Sequence, residues 1–148
     1  MEACMYVSDI LGAKGGAVIS LAPDRTLAET ARLLTEKRIG AILVSNDGVA
    51  IAGVISERDI IRAVARDGAA ALDKAIADVM TREVVTCRPD DTIEEVMKVM
   101  TVKRIRHLPV VDGDKIAGIV TIGDVVKSRL EETEAETQVL RDYVFTRG

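Results

Sequence analysis

The chain repeats itself, so whatever fold serves one half must also serve the other. Pro23-Asp24-Arg25-Thr26-Leu27 returns as Pro89-Asp90-Asp91-Thr92-Ile93. Lys37-Arg38-Ile39 returns as Lys103-Arg104-Ile105 at the same spacing of 66 residues, Pro23 to Pro89 and Lys37 to Lys103. Ile51-Ala52-Gly53-Val54-Ile55-Ser56 returns as Ile116-Ala117-Gly118-Ile119-Val120-Thr121, and Asp59 as Asp124, now 65 apart. Asp9, followed by two apolar residues, matches Asp78, which gives the first copy a longer opening loop around Lys14-Gly15-Gly16. The organisation this implies is a first copy over 7–66, a connection over 67–75, a second copy over 76–130 and a C-terminal helical extension over 131–148.

Both copies read alike locally. A short β-branched run comes first, Val18-Ile19 and then Val84-Val85-Thr86. An amphipathic helix follows, with Leu27, Ala31 and Leu34 on one face in the first copy and Ile93, Val96, Met97 and Met100 in the second. Thr26 with Glu29, and Thr92 with Glu95, have the spacing of capping boxes. Two brief strands come next: Ala41 to Val44 with Ile51 to Ile55, then Leu108 to Val111 with Ile116 to Val120. Turn residues join each pair, Asn46-Asp47-Gly48 and Asp112-Gly113-Asp114. A second helix begins after Ser56 and after Thr121. The unit is β-α-β-β-α, twice, an α/β (α+β) fold. A three-stranded sheet with helices on one side must cover its other face, and the nearest cover is the other copy. The two sheets are therefore expected to pack against each other about a pseudo-two-fold axis, leaving a cleft on each side. The last helix continues past Asp124 through Glu131, Glu132, Glu134 and Glu136 to Leu140 and Tyr143. Apolar residues persist at Val125, Val126, Leu130, Val139, Leu140 and Tyr143; the glutamates fit a solvated helix, and the apolar residues at the far end fit a dimer contact equally well.

Composition excludes several classes. Hydrophobic residues make up 48% and charged residues 30%, enough to bury a core, but aromatics are only 2%. Val, Ile, Leu, Ala and Met must supply the packing, Met97 and Met100 among them, and a stacking platform for single strands is lacking. A net charge of -4 offers no basic footprint, so no nucleic-acid partner is expected. No apolar run approaches the roughly 20 residues of a membrane span. Met1 to Asp9 lacks the pattern of a secretory signal. Cys4 and Cys87 have neither zinc-ligand spacing nor the numbers of a disulfide framework, which points to a reduced, cytoplasmic protein. His107 is the only histidine, so neither a catalytic triad nor a histidine-based metal site is available.

The chemistry concentrates at one recurring string: Gly, two aliphatics, Ser or Thr, two variable residues, then Asp. It stands as Gly53-Val54-Ile55-Ser56-Glu57-Arg58-Asp59 and as Gly118-Ile119-Val120-Thr121-Ile122-Gly123-Asp124. Ser56 and Thr121 sit where a strand becomes a helix, so unpaired N–H groups and the positive end of the helix dipole favour a phosphate there. Asp59 and Asp124, three residues on, can accept hydrogen bonds from ribose hydroxyls. The same spacing is also a helix-start pattern in which the Asp simply favours the dipole.

With Arg106-His107-Leu108-Pro109-Val110-Val111 before the second string, the chain resembles the CBS domain family, and two such repeats resemble the pair often called a Bateman module. The resemblance extends from about Val7 to Leu130. It implies a regulatory module that catalyses nothing and binds an adenine nucleotide (AMP, ADP, ATP or NAD(H)) between its halves. One site would use Ser56, Arg58 and Asp59, with the purine against backbone near Thr81, Val84 and Pro109. The other would use Thr121 and Asp124, with Arg106 and His107 near the phosphate and backbone near Lys14, Val18 and Ile42 closing over the base. Lys103 and Arg104 are read as helix-end charge. The copies are not equivalent: Arg106, His107 and Pro109 have Gly40, Ala41 and Leu43 as counterparts, and Arg58 has Gly123. Two sites of different affinity, or one that is dead, both follow. The resemblance further implies a homodimer and a regulated partner protein. A scaffold that keeps the fold and binds no nucleotide is the competing reading. Inosine monophosphate dehydrogenase carries such a pair beside a separate catalytic domain, for which no residues remain here.

Overall fold

The computed structural model describes residues 6–15 and 18–147. The first copy runs through α1 (Val7–Lys14), β1 (Ser20–Leu21), α2 (Leu27–Lys37), β2 (Ala41–Val44), β3 (Gly53–Ser56) and α3 (Glu57–Asp67). Two 3-10 turns, Gly68–Asp73 and Ile76–Asp78, lead to α4 (Ile93–Lys103), β4 (His107–Asp112), β5 (Lys115–Thr121) and α5 (Ile122–Arg147). In the first sheet the order is β1-β2-β3, with β1 parallel and β3 antiparallel to β2. In the second, β4 and β5 form an antiparallel pair.

The two sheets differ by one strand, and a proline accounts for it. The first copy's opening strand forms at Ser20–Leu21, two residues after the expected Val18-Ile19, where Leu43 and Val44 offer partners. The strand expected over Val84-Val85-Thr86 does not form; a single parallel bridge, Cys87 to Val110, replaces it. That bridge is made by Cys87 N–H to the Pro109 carbonyl and Val111 N–H to the Cys87 carbonyl. Extending it backwards needs an N–H at Pro109 to meet the Val85 carbonyl, and proline has none. The capping boxes also diverge. Thr92 and Glu95 bond reciprocally, at 3.1 and 3.3 Å. Thr26 accepts from Glu29 N–H, but the Glu29 carboxylate turns outward to Arg25, so only half of that box exists. The last helix is continuous through Arg147 and begins directly after Thr121. Val125 is buried while Val126, Leu130 and Leu140 are exposed; the side chains of Glu132, Glu136, Val139 and Tyr143 lie outside those described, as do Cys4 and Gly16.

Two hydrophobic clusters form, and each borrows from outside its own sheet and helix pair. Val7 and Ile10 of α1 are buried with Cys87, Ile93, Val96, Leu108, Val110 and Val120 of the second copy. Ile76 and Met80, from the start of the second copy, are buried with Leu27, Ile42, Val44 and Ile55 of the first. The backbone repeats the exchange: Val7 and Ser8 N–H donate to Asp91 and Pro89, and Ile76 and Ala77 N–H donate to Arg25 and Pro23. Ala71, in the expected connection, is itself fully buried. Each such aliphatic side chain contributes roughly 1.5–3 kcal/mol on full burial, so neither copy keeps its core without the other. Strand alternation does the rest. Ile42 and Val44 face the helices, whereas Ala41 and Leu43, also buried, face the second copy. Cys87, inside this packing, has its thiol pushed up to about 12 by burial, with a smaller contribution from Asp91.

The glycine of each recurring string marks where the exchanged segment crosses the sheet. Val54 and Thr81 trade N–H to carbonyl bonds of 3.0 and 2.9 Å beside Gly53. A Cβ at Gly53 would lie 2.7 Å from the Thr81 carbonyl oxygen, and one at Gly118 would lie 2.8 Å from the end of the Leu11 side chain. Gly53→Ala must displace backbone and is expected to cost about 1–3 kcal/mol, whereas Gly118→Ala needs only a rotation of Leu11 and is expected to cost under about 1 kcal/mol. Urea unfolding of the two variants makes the comparison; equal costs would remove the backbone approach at Gly53 as the stricter constraint.

Candidate functional site: two clefts between the copies

Both strand-to-helix junctions are capped by their own string. Ser56 is the N-cap of α3, and Asp59 Oδ2 accepts from Ser56 N–H at 2.8 Å and from its hydroxyl at 3.0 Å. At the second junction Asp124 Oδ2 accepts from Thr121 N–H at 2.9 Å, and Asp124 N–H donates to Thr121 Oγ1 at 3.1 Å. Helix capping and ligand binding, two readings of one spacing, are therefore compatible. Among the described residues every hydrogen bond of both carboxylates falls on Oδ2, which leaves Oδ1 as an acceptor for a ligand.

The first cleft has a volume of about 250 Å³ and takes its walls from both copies. Ser56, Arg58 and Asp59 at the start of α3 share it with Thr81, Val84 and Pro109, the full set expected there. It also gathers Arg62, Arg104 and Arg106. Four guanidinium groups thus line one cavity, against three carboxylates from Glu57, Asp59 and Glu83. Such a set suits an anion with several oxygens, since each guanidinium can bond a phosphate bidentately.

The second cleft, about 520 Å³, contains Thr121, Asp124, Lys14, Val18 and His107 as expected. One expected member is elsewhere. Arg106 lines the first cleft, since it precedes β4 on the side facing α3. The Ile42 side chain is 1% exposed and belongs to the core of the first copy, and the backbone beside it reaches this cleft through Ala41 and Leu43. Lys14, the last residue of α1, donates to Asp124 Oδ2 at 2.9 Å and to the Ile119 carbonyl at 3.1 Å. The remaining lining is largely apolar, with Leu11, Ile19, Ile39 and Ile119.

His107 lines both cavities, together with Gly40 and Ala41. It packs across the copies onto Gly40, where a Cβ would lie 3.1 Å from its Nε2. Its pKa lies below the ordinary 6.5, chiefly because burial disfavours the charged ring; Arg106 and Lys14 act in the same direction, and Glu57 and Asp124 oppose them.

Arg38 and Arg104 were not foreseen as cleft residues. Each ends a helix in the left-handed conformation, at φ 54° and 55°, and each lines the cleft on its side of the molecule. A non-glycine residue in that conformation costs of the order of 1 kcal/mol, and glycine is the usual occupant. Recurrence of Lys-Arg-Ile in both copies was the available signal. Helix-end charge accounts for Lys37 and Lys103 in the last turns, but not for two arginines where glycine is the easier choice.

The CBS domain family model matches residues 7–66 and 76–131. The "CBS domain-containing protein CBSX3, mitochondrial" of Arabidopsis thaliana is 33% identical over 146 residues, covering 93% of this chain and 71% of that protein. A CBS-domain-containing protein from Agrobacterium tumefaciens superposes with a TM-score of 0.83 at 39% identity, over 87% of this chain and 96% of that one. A CBS domain protein from Pyrobaculum aerophilum, solved in complex with AMP, superposes with a TM-score of 0.71 at 27% identity, over 80% of this chain and 88% of that one. Among the described residues, no helix is long and apolar enough to cross a membrane.

The depressed His107 pKa carries a sign that can be measured. Below about pH 6.5 the unfolded chain takes up a proton that folded His107 resists, so its contribution to stability is full above that pH and falls as pH drops towards the folded pKa. His107→Gln is expected to lose less stability than the wild type between about pH 7.5 and pH 5.5, the window in which histidine titrates. Denaturant unfolding at the two pH values tests this; an identical loss in both proteins would assign the pH dependence to the carboxylates.

Proposed function

We propose that this chain, which belongs to the CBS domain family, is a regulatory module that binds adenine nucleotides in the clefts between its copies and performs no catalysis. One observation carries the reading. Each cleft joins the Ser/Thr-x-x-Asp helix start of one copy to segments of the other, so a ligand there touches both. A ligand held in this way binds one relative arrangement of the copies better than another, and that difference in affinity is what a sensor requires. The AMP complex of the Pyrobaculum protein supports adenine as the base.

The four arginines of the first cleft favour AMP, ADP, ATP or NAD(H) over ligands without phosphate, and Asp59 is the ribose acceptor. The second cleft, with Thr121 and Asp124, takes the same class of ligand more weakly. Self-association into a homodimer is the expected readout, supported by exposed apolar residues at matching positions of the two copies, Ile61 at 65% and Val126 at 49%.

Thermal unfolding with millimolar AMP, ADP, ATP or NAD+ tests the reading. A ligand at about 100 times its dissociation constant adds roughly 2.7 kcal/mol, a rise of about 5–10 °C for a chain of this size. Asp59→Ala is expected to abolish most of that rise. Without ligand it is expected to lower stability by about 1 kcal/mol through the lost cap, so the two effects separate. Absence of a shift with every nucleotide would leave a scaffold without ligand as the better account.

A further inference from the structure

Asp59 and Asp124 occupy matching places in the two copies, yet only one of them is paired with a cation. Among the described residues Asp59 is held by Ser56 alone, whereas Asp124 carries the Lys14 ammonium at 2.9 Å. The pair is partly shielded, with side-chain exposures of 37% for Lys14 and 20% for Asp124. Asp124 is also the only carboxylate among the residues lining its cleft, so no second acid stands ready to receive Lys14. We propose that Lys14 gates the second cleft and makes it select phosphorylated adenine ligands over unphosphorylated ones, an inference that rests on the nucleotide-binding reading above.

The selection follows from an exchange of partners. One ribose hydroxyl can donate to the free Oδ1 of Asp124, but its neighbour reaches the carboxylate only at Oδ2, where the ammonium is already seated. An unphosphorylated nucleoside offers that ammonium no new acceptor, so its binding must weaken an ion pair without replacing it. A nucleotide brings a phosphate, and Lys14 can leave the carboxylate for it. The flexible four-carbon stem, at the end of α1 and just before Gly15 at φ 60°, permits the move. The first cleft has no such toll, because no basic side chain among the described residues pairs with Asp59. The two clefts therefore differ in kind as well as in affinity: the first prefers phosphate through its arginines alone, whereas in the second a nucleoside must also loosen an existing ion pair.

Calorimetric titration with AMP and with adenosine tests the gate, using the full chain with Asp59→Ala to silence the first cleft. Adding Lys14→Met is expected to tighten adenosine by about 2–5-fold, the range of a partly exposed ion pair. The same change is expected to weaken AMP by about tenfold, as loss of a charge-assisted hydrogen bond does. Lys14→Gln, which keeps a polar side chain, is expected to move both affinities in the same directions by less. Opposite movement of the two ligands is the signature. Movement in one direction, or none, overturns the gate and leaves the nucleotide reading standing. Loss of all AMP binding in Asp59→Ala, with binding intact in the wild type, also overturns the gate alone. No AMP binding in the wild type overturns the nucleotide reading, and the gate with it.

Discussion

The approach of the second copy's opening segment to β3 fixes much of the rest. Thr81 reaches the strand closely enough to exchange two hydrogen bonds with Val54, and the missing side chain at Gly53 allows it. From that crossing the segment continues to Ile76 and Met80 in one direction, which complete the first copy's core. In the other direction it continues to Val84, which forms a wall of the first cleft. Val7, Ile10 and Leu11 do the corresponding work around Gly118. Because each core is closed by a segment packed from the other copy, the copies cannot separate without exposing buried aliphatic surface, and the clefts between them are held by the same packing that stabilises the fold.

Within that frame a single carboxylate caps a helix and, on the function proposed above, also accepts from the ligand. Oδ2 of Asp59 and Oδ2 of Asp124 satisfy backbone donors at the starts of α3 and α5, and the remaining oxygen of each is left to a ligand. A site built in this way is pre-organised, since the acceptor is held by the helix before any ligand arrives. The two copies then diverge by charge. Arginines at 58, 62, 104 and 106 gather in the first cleft, whereas the second has Lys14 turned onto its own aspartate. A duplicated architecture has thereby acquired two unlike chemical environments, and His107, lining both, stands where they adjoin.

Much of this was legible in the chain. Paired recurrence at 66 and 65 residues located α2 to α5 (though not α1), the hairpins and both Ser/Thr-x-x-Asp junctions, because local hydrogen bonding and amphipathic period are properties of neighbouring residues. The failures have local physical causes as well, but ones that a pattern of residue types does not display. Val84-Val85-Thr86 has strand composition, and the proline that denies it a partner lies more than 20 residues away in β4. Glu29 has capping spacing, but Arg25 competes for its carboxylate.

The sequence by itself determined that there are two copies of one unit, that each presents a hydroxyl and a carboxylate at a helix start, and that one histidine and three aromatic residues are all the chain contains of those types. Those conclusions rest on residue identity, on spacings within a helix turn or two, and on the recurrence of both at a fixed offset. Only the tertiary structure decided which copy's segment completes which core, that Arg106 serves the first cleft, and that Lys14 sits on Asp124. Each of these joins residues far apart along the chain, Lys14 and Asp124 by 110 positions. Such meetings are settled by how buried surfaces pack in three dimensions, which linear spacing does not record.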